Sequence, residues 1–440
     1  MKNFYIYIYI IIGTLIFSTE MAAQVMGERV RIHGKTIDAS TKKTLPYTSI
    51  RIMKTSNGCS SDNNGSFSFY AKVGQDTLVV TSVGYGEQRI AITPNTKMPL
   101  TIALKPENYD LPEVVVKPKR ERYSKKNNPS VELARNIINR REVNSPLNKD
   151  FYSRERHEKL NLALNDFNAE GGSAFGKKFD FLKEYIDTSL VSGKPILHVS
   201  ARELIATDYF QKDPERQRRH IKARRHNGID DVFSNGEIES LFEEVFKDVD
   251  IFQDNISIFS SKFVSPISKL GPTFYKYYIM DTVEIDGERC IDLAFTPFNV
   301  ESFGFTGHIY VTADTALFIK TLEMNVPHEI NMNFVDYMNI RQEFSRTADG
   351  TRLLDKETLT AELKVVNALT GFYVHREVNY RDHIFEKSEF ANAILKSPSP
   401  TVEDDNSTSK SDEYWAEVRH VPLTKQESTM DIFMNRIEQI

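Results

Sequence analysis

The sequence predicts a mainly β protein: an N-terminal seven-stranded β-sandwich is followed by an α+β second part with a curved antiparallel sheet and accessory helices. Two observations lead to this prediction. Residues 30–104 alternate apolar and polar side chains in short segments that Gly, Asn and Asp separate, and residues 263–380 repeat this alternation in longer segments. Alternation with a period of two indicates half-buried strands, and seven short segments in about 75 residues are typical of a sandwich.

The first residues predict export. Lys2 precedes an almost uncharged apolar run over residues 4–17, and the next polar stretch ends in Met21-Ala22-Ala23-Gln24. This pattern indicates a signal peptide over residues 1–23, with cleavage near Ala23. The apolar run is shorter than the roughly 20 residues that a membrane span needs, and an uncleaved N-terminal anchor is the alternative.

Composition argues against nucleic-acid binding. The 440 residues include 56 Lys or Arg and 61 Asp or Glu, which gives a formal net charge of −5 and no basic excess. The two cysteines, Cys59 and Cys290, lie in different predicted domains. An oxidising compartment would permit a disulfide between them, but we expect two free thiols. Two cysteines without spaced partners also exclude a cysteine-based zinc site.

Residues 28–105 form the predicted sandwich, and four motifs follow one another in it. They are Gly34-Lys35-Thr36-Ile37-Asp38, Leu45-Pro46-Tyr47-Thr48-Ser49-Ile50, Ser61-Asp62-Asn63-Asn64-Gly65-Ser66-Phe67 and Ser82-Val83-Gly84-Tyr85. Together they resemble the carboxypeptidase-regulatory-like domain, a transthyretin-type β-sandwich. The resemblance implies neither a zinc site nor peptidase activity. It also implies a cell-envelope protein, because in Bacteroidetes such a domain commonly opens outer-membrane proteins and a run like residues 111–116 often follows it.

A basic, proline-containing linker is predicted over residues 106–128, and the α+β domain over residues 129–395. In that domain a helix starts at Pro129-Ser130-Val131-Glu132. Residues 151–165 fit a strand, although Leu160 and Leu164 also have helical spacing. Helices are further predicted at 179–186 and 234–249 and a strand at 195–204, before the strands after residue 263. Residues 396–413 predict a disordered linker, and residues 414–440 a C-terminal docking segment with a last helix near 430–440.

Six basic residues are the sharpest local feature. Asp213-Pro214-Glu215 has the residue types of a helix start, and Asn227-Gly228 those of a helix end, so we predict a basic helix between them. A helix of this kind could contact anionic lipid headgroups, lipopolysaccharide phosphates or an acidic partner. The alternative is a solvated helix partly neutralised by nearby acids. The candidate contact residues are Arg216, Arg218, Arg219, Lys222, Arg224 and Arg225.

The second part resembles the conserved region of a Bacteroidetes cell-envelope family of unknown function that carries the same N-terminal domain. The resemblance covers residues 129–425 and includes Asp213-Pro214-Glu215-Arg216, Phe305-Thr306-Gly307-His308-Ile309-Tyr310-Val311 and Asp412-Glu413-Tyr414-Trp415. Members typically continue into a C-terminal outer-membrane β-barrel, and we expect none within these 440 residues. The resemblance implies a location in the periplasm or at the outer membrane.

The strand pattern of residues 274–324 is also similar to the incomplete barrel of periplasmic lipoprotein carriers. If the similarity holds, a curved sheet encloses an apolar cavity that could take an acyl chain. The alternative is that these aromatic residues fill a core.

No pattern of catalytic residues emerges. The sequence contains no zincin motif, no Gly-x-Ser-x-Gly elbow and no phosphate-binding loop, so we expect no enzyme, no metal and no cofactor. The leading hypothesis is a non-enzymatic exported protein with a binding or assembly role at the periplasmic side of the outer membrane. Its partner would be an outer-membrane protein or lipid or lipopolysaccharide headgroups. A lipid or lipoprotein carrier is the alternative, and an exported hydrolase is weaker. The sequence does not predict an oligomeric state.

Overall fold

The structure is a computed structural model that describes residues 29–82, 85–106, 123–167, 177–228, 247–259, 261–327, 330, 332, 335–347, 350–364 and 371–438. The predicted signal peptide, the run at residues 111–116 and most of the predicted helix 234–249 lie outside these residues. The chain divides into two compact units. The first comprises residues 1–116, 190–193 and 284–288, and the second the remainder.

Seven strands in two sheets form the first unit, as the sequence predicts. One sheet has the order β4-β1-β7, in which β1 pairs antiparallel with β4 and parallel with β7, and the other has the order β3-β2-β5-β6. Apolar residues from both sheets, such as Ile32, Ile50 and Leu78, make one core between them. The strands are β1 Arg29–Asp38, β2 Ser49–Ile52, β3 Gly58–Ser60, β4 Ser66–Lys72, β5 Thr77–Thr81, β6 Gln88–Ala91 and β7 Leu100–Leu104.

The motifs of this sandwich have structural roles. Asp62 Oδ1 accepts hydrogen bonds from the amides of Asn64 and Ser66, which closes the turn before β4. Gly65 has φ of +74°, and a Cβ there would lie 2.6 Å from a backbone oxygen, so the turn requires glycine. Tyr85 donates to Asp38 Oδ2 at 2.8 Å. The described residues of these motifs therefore act through turns and packing.

A twelve-stranded sheet is the framework of the second unit. Its order is β14-β15-β16-β17-β18-β19-β20-β8-β10-β11-β21, with β9 paired to β10, and β12 and β13 form a separate hairpin. The pairs are antiparallel except for the parallel pair of β11 with β21. The strands are β8 Phe151–Asn165, β9 Ile186–Thr188, β10 Pro195–Gln211, β11 Arg216–Gly228, β12 Asn255–Ile258, β13 Ser261–Val264, β14 Tyr275–Ile285, β15 Glu288–Pro297, β16 Thr306–Thr312, β17 Ile319–Asn325, β18 Val335–Arg346, β19 Arg352–Leu363, β20 Gly371–Ile384 and β21 Thr401–Glu403.

Short helices accompany the sheet. They are α1 Pro129–Asn144, α2 Gly271–Phe274, α3 Glu389–Leu395, α4 Asp412–Val418 and α5 Lys425–Glu438, with 3₁₀ helices at Pro146–Asn148 and Lys177–Tyr185. The predicted start of α1 is confirmed: Asn128 accepts from the amide of Ser130 at 2.9 Å and Pro129 is the first helical residue. The predicted last helix begins earlier than expected, at Lys425.

The two faces of the sheet differ in what covers them. Leu160 and Leu162 of β8 belong to the main core, to which α1 contributes Ala134 and Ile137. We call this face the inner face. On the opposite, outer face, α3 packs on Phe151 and Tyr209, and Trp415 of α4 packs on Ile205 and Ala223. These contacts follow from the two-residue alternation of β8 and β10.

Two predictions about local structure are wrong. Residues 216–228 form strand β11 and not a basic helix, because they pair with β10 along their whole length. Residues 212–215 make the hairpin turn, for which Asp and Pro are as suitable as for a helix start. Residues 396–413 are ordered and not a disordered linker: β21 pairs with β11, and Arg224 donates its amide to Ser407 O at 2.9 Å.

Other predictions hold. Residues 151–165 are strand β8, with leucines 160, 162 and 164 inside the main core or against it. The segment predicted as a helix at 179–186 is the 3₁₀ helix Lys177–Tyr185 followed by strand β9. Cys59 is half-buried and Cys290 is buried, and no disulfide joins them.

Candidate functional site

Four transverse rows of side chains on the inner face define the candidate site. Residues that are directly opposite on neighbouring strands share a face of the sheet. The register of β8, β10 and β11 therefore aligns three residues in each row. The rows are Arg154–Asp208–Arg219, Arg156–Ala206–Ile221, Glu158–Leu204–Arg224 and Leu160–Arg202–His226.

The last two rows, together with Arg219 and Ile221 of the first two, line a cleft of about 690 Å³ at the β11 end of the sheet. Its volume lies within the range of roughly 300–1,000 Å³ that is usual for small-molecule sites. Apolar and basic side chains alternate along it, so the cleft offers contacts both to hydrocarbon and to an anion. We call it the β11 cleft. Its lining residues are Glu158, Leu160, Arg202, Glu203, Leu204, Arg219, Ile221, Arg224, Arg225, His226, Thr401 and Thr408.

A network of charges around two buried guanidinium groups, which we call the buried charge network, adjoins the cleft at Glu158. Arg156 is fully buried and contacts Glu158, Asp208 at 3.3 Å and Asp248 at 2.8 Å. Arg376, which is 1 % exposed, reaches Asp248 at 2.7 Å and Glu158 at 3.3 Å. The carboxylates thus neutralise two guanidinium groups that burial would otherwise penalise strongly.

The pKa values of this network follow from the guanidinium groups. Burial by itself would raise the pKa of Glu158, but Arg156 and Arg376 outweigh it and lower the pKa to about 2. The pKa of Asp208 is also lowered, because Arg156 and Arg219 overcome the effect of burial. These carboxylates are ionised at neutral pH and engaged, so they do not offer a protonated acid for catalysis.

Acidic residues at the cleft are neutralised in the same way. Glu203 accepts from Arg419 at 2.8 Å and contacts His157 Nε2 at 2.8 Å. Burial raises its pKa, but His157 and Arg419 lower it to about 2. Glu158 is paired with buried guanidinium groups, and Glu203 is paired with Arg419 on the outer face. Their negative charges therefore do not repel an anion at the basic side chains of the cleft.

The structure separates the six predicted basic residues. Arg219 and Arg224 lie on the inner face and line the cleft; Arg219 pairs with Asp208 at 2.7 Å and Arg224 with Glu403 at 2.8 Å. Arg225 borders the cleft and pairs with Asp412 at 2.7 Å. Successive residues of β11 point to opposite faces of the sheet, whereas successive residues of a helix would not.

The other three predicted residues serve the outer face. Arg216 and Arg218 donate to Leu395 O and Ser397 O at the C-terminal end of α3, where cations suit the free carbonyl groups. Lys222 donates to Glu155 Oε2 at 3.0 Å. The six residues are thus divided between the two faces of the sheet, and their contact with an anionic partner stays a prediction.

Sequence reasoning missed Arg202, Leu204 and Ile221 as cleft residues. Arg202 and Leu204 fall in a predicted strand, but only the register with β8 and β11 places them beside Leu160 and Arg224. The sequence contains no local signal for this, since an Arg in an alternating segment usually marks a solvated face.

One pair near the cleft has the geometry of a nucleophile and its base. Ser200 Oγ lies 3.0 Å from His226 Nε2. Ser200 is only 2 % exposed, so its hydroxyl presents almost no surface to a substrate and serves to orient the imidazole. Within the part of the chain that the structure describes, no group of three or more His, Cys, Asp or Glu residues could hold a metal ion.

Residues 134–381 match the family described as "Family of unknown function (DUF5686)". The chain belongs to this family. Residues 32–116 match the CarboxypepD_reg-like domain, which is the domain that the four N-terminal motifs resemble. The matched residues contain the buried charge network, most strands of the large sheet and the residues that line the β11 cleft except Thr401 and Thr408. The family's description assigns no activity.

Solved structures show only distant likeness. A putative outer membrane lipoprotein-sorting protein domain from Vibrio parahaemolyticus is 12 % identical, with a TM-score of 0.24, over 61 % of this chain and 99 % of that one. A LolA superfamily protein from Nitrosomonas europaea is 8 % identical, with a TM-score of 0.21, over 60 % and 97 %. No curated protein matches the chain. Among the described residues, no helix has the length and apolar character needed to cross a bilayer.

Proposed function

We propose that this protein is a non-enzymatic, exported cell-envelope protein that binds an anionic amphiphile, a lipid with an acyl chain and an anionic headgroup, in the β11 cleft. One observation carries the proposal: Arg202, Arg224 and His226 occupy the same face and the same rows as Leu160 and Leu204. Apolar and basic side chains that lie side by side are complementary to a molecule with a hydrocarbon part and an anionic part.

The charges of the cleft favour an anion over a neutral lipid. Arg202 and Arg224 are both exposed on the inner face, whereas Glu158 and Glu203 are buried and paired with other cations. Arg224 is 55 % exposed, and its partner Glu403 is 30 % exposed, so the pair is accessible to a competing headgroup. An exposed ion pair of this kind contributes little stability and is readily exchanged.

The pairing of the buried carboxylates supports the non-enzymatic part of the proposal. The buried carboxylates of the charge network are held ionised by guanidinium groups, and Ser200 is covered. The predicted signal peptide supports export, and the family resemblance of the sequence supports the envelope. Together these observations favour carriage or sequestration of a lipid over its hydrolysis.

Titration calorimetry with two lysolipids tests this function. Lysophosphatidylglycerol and lysophosphatidylcholine with the same acyl chain differ in headgroup charge, and we expect the wild type to bind the anionic one more tightly. The double variant Arg202→Gln/Arg224→Gln should bind it about tenfold more weakly, since a hydrogen bond to a charged group is worth about 1.5–3 kcal/mol before its exposure is discounted. Leu204→Ser should weaken both lysolipids equally.

The matched control is Arg216→Gln/Arg218→Gln, which removes two guanidinium groups of the same strand that bind the end of α3. It should leave lysolipid affinity unchanged. Equal affinity of the wild type for both lysolipids, or wild-type affinity in the Arg202/Arg224 variant, would contradict the proposal. Native mass spectrometry of the purified protein should in addition show a retained lipid.

A further inference from the structure

A second exposed surface lies at the other edge of the twelve-stranded sheet. β14 is the terminal strand there, opposite β21, and the loop over residues 298–304 follows β15. Three apolar side chains of this loop are exposed: Phe298 to 38 %, Val300 to 41 % and Phe303 to 43 %. Clustered exposed apolar side chains indicate a surface that binds something, whereas isolated ones need no explanation.

The backbone holds this loop in place. Phe298 donates its amide to Phe274 O, Val264 donates to Phe303 O, both at 2.9 Å, and Ser302 donates to Asn299 O at 3.1 Å. The ring of Phe303 also packs against Phe263 of β13, with centroids 5.4 Å apart. The apolar side chains are therefore presented by an anchored loop.

Aromatic and basic side chains extend the same surface. The ring of Tyr123 lies 5.4 Å from the rings of both Phe298 and Tyr278. Lys125 Nζ lies 4.3 Å and Lys276 Nζ 5.5 Å from the centroid of Phe298, within the distance of a cation–π contact. The aromatic patch comprises Tyr123, Lys125, Lys276, Tyr278, Phe298, Val300 and Phe303.

Lysines lie within the aromatic patch and beside it. Lys126 is exposed in the turn that also carries Lys125. Glu301 is the acidic residue of the loop itself, and Lys269 is neutralised by Glu142 at 3.4 Å. Lys125, Lys126 and Lys276 thus outnumber the acid of the loop, which makes the surface complementary to an anionic one.

We propose that the aromatic patch docks the protein on an anionic lipid bilayer. Phe298, Val300 and Phe303 would enter the headgroup and upper acyl region, and Lys125 and Lys276 would contact lipid phosphates. Aromatic residues beside lysines are typical of the membrane interface. A protein partner is less well matched, because lysine is depleted from protein–protein interfaces whereas membrane surfaces attract it.

Vesicle co-sedimentation tests this docking. The probe is a vesicle of phosphatidylcholine that contains about 30 mol % phosphatidylglycerol, and vesicles of phosphatidylcholine alone serve for comparison. The protein used is residues 24–440. We expect the protein to sediment with the anionic vesicles, and we expect roughly 0.5 M salt to abolish this sedimentation. Lys125→Gln/Lys276→Gln should lower the partition coefficient about 25-fold, since each lysine near an anionic surface contributes roughly fivefold. Val300→Ser should lower it several-fold.

Matched controls separate this site from general surface effects and from the cleft. Val143→Ser changes a 68 % exposed valine on α1, and Lys97→Gln/Lys396→Gln changes two exposed lysines elsewhere; neither should alter sedimentation. Arg202→Gln/Arg224→Gln should still bind vesicles, so failure of the lysolipid site and failure of docking are distinguishable. Circular dichroism shows whether each variant is folded. If the lysine variant is unfolded, the result for Val300→Ser decides the test. Docking is excluded if the wild type stays in solution or if Val300→Ser sediments as the wild type does.

Discussion

Arg156 is a fully buried charge that three carboxylates surround, at the centre of the inner face. Glu158, Asp208 and Asp248 each contact its guanidinium group. Arg156 Nη1 also donates a hydrogen bond to the neutral hydroxyl of Tyr380 at 2.7 Å. A network of this kind is worth little compared with an apolar core, yet removal of Arg156 is costly because Glu158 and Asp208 stay buried with one guanidinium partner fewer. The residue therefore fixes the position of β8 beside β10.

Arg156→Gln should destabilise the protein by about 3–5 kcal/mol, because it leaves Glu158 and Asp208 without their main cation. Urea unfolding followed by circular dichroism measures this change. The control Arg218→Gln removes a half-buried guanidinium group that bonds a carbonyl oxygen, and should cost about 0.5–1.5 kcal/mol. If Arg156→Gln costs no more than Arg218→Gln, the network does not stabilise the sheet.

Acid should weaken the fold through Glu158. Its pKa falls from 4.5 to about 2 on folding, so the folded state binds the proton less tightly than the unfolded state. The stability it contributes is present above pH 4.5 and is lost as the pH falls towards 2, to a total of roughly 3 kcal/mol. Unfolding free energies measured across this interval in the wild type and in Glu158→Gln check the prediction: the variant should show a shallower decline, and parallel curves would refute the assignment.

Strand β21 illustrates how a short element completes a larger one. Its three residues pair with Arg219, His220 and Ile221 and cover part of the edge of β11 that faces away from β10. Val402 also packs towards the cluster that contains Phe151 and Tyr209. Without β21, the amide and carbonyl groups of this edge would face water and invite pairing with another chain.

Val402→Pro should release β21, since proline removes an amide donor in the middle of the strand and fits poorly there. Amides of residues 219–224 should exchange hydrogen at least tenfold faster, about 1.4 kcal/mol of lost protection, and proteases should cut near residue 400. Val402→Thr, which keeps the β-branched shape, is the control. Unchanged exchange in the proline variant would show that β21 does not protect the edge.

β11 also shows why local signals misled the prediction of an element. Asp213, Pro214 and Glu215 suit a helix start, but they suit a hairpin turn equally. The following residues are almost all basic, so neither a two-residue nor a 3.6-residue apolar period is visible to decide between strand and helix. Pairing with the seventeen-residue strand β10 decides it, and this pairing is a long-range interaction.

At the scale of the whole molecule, the first unit carries a core of its own. Among the residues that the structure describes, the buried members of that core lie between residues 32 and 104. Residues 24–106 should therefore unfold in urea in one cooperative transition when they are expressed alone. A domain of about 80 residues is only modestly stable, so a low midpoint is expected. Ile50→Asp, at a fully buried position, is the control that should abolish the transition, and a wild-type domain without one would contradict independent folding.

The candidate site could be predicted only in part. The basic residues were visible as a cluster, and Arg219 and Arg224 do line the β11 cleft. Arg216 and Arg218 bind the end of α3 instead, because successive residues of a strand point to opposite faces. Arg202 and Leu204 join the site through a register that connects residues far apart in the chain, which no local pattern contains.

The sequence by itself determined the fold class, the seven strands of the sandwich, strand β8 and the start of α1, because alternation, turn residues and capping act between near neighbours. The β11 cleft, the buried charge network around Arg156 and the order of residues 396–413 were decided only by the tertiary structure. Each depends on which strands pair and in which register, and burial across the whole sheet selects that register. Six basic residues within ten positions therefore indicated a charged surface, while the sheet determined which of them line the cleft and which support the fold.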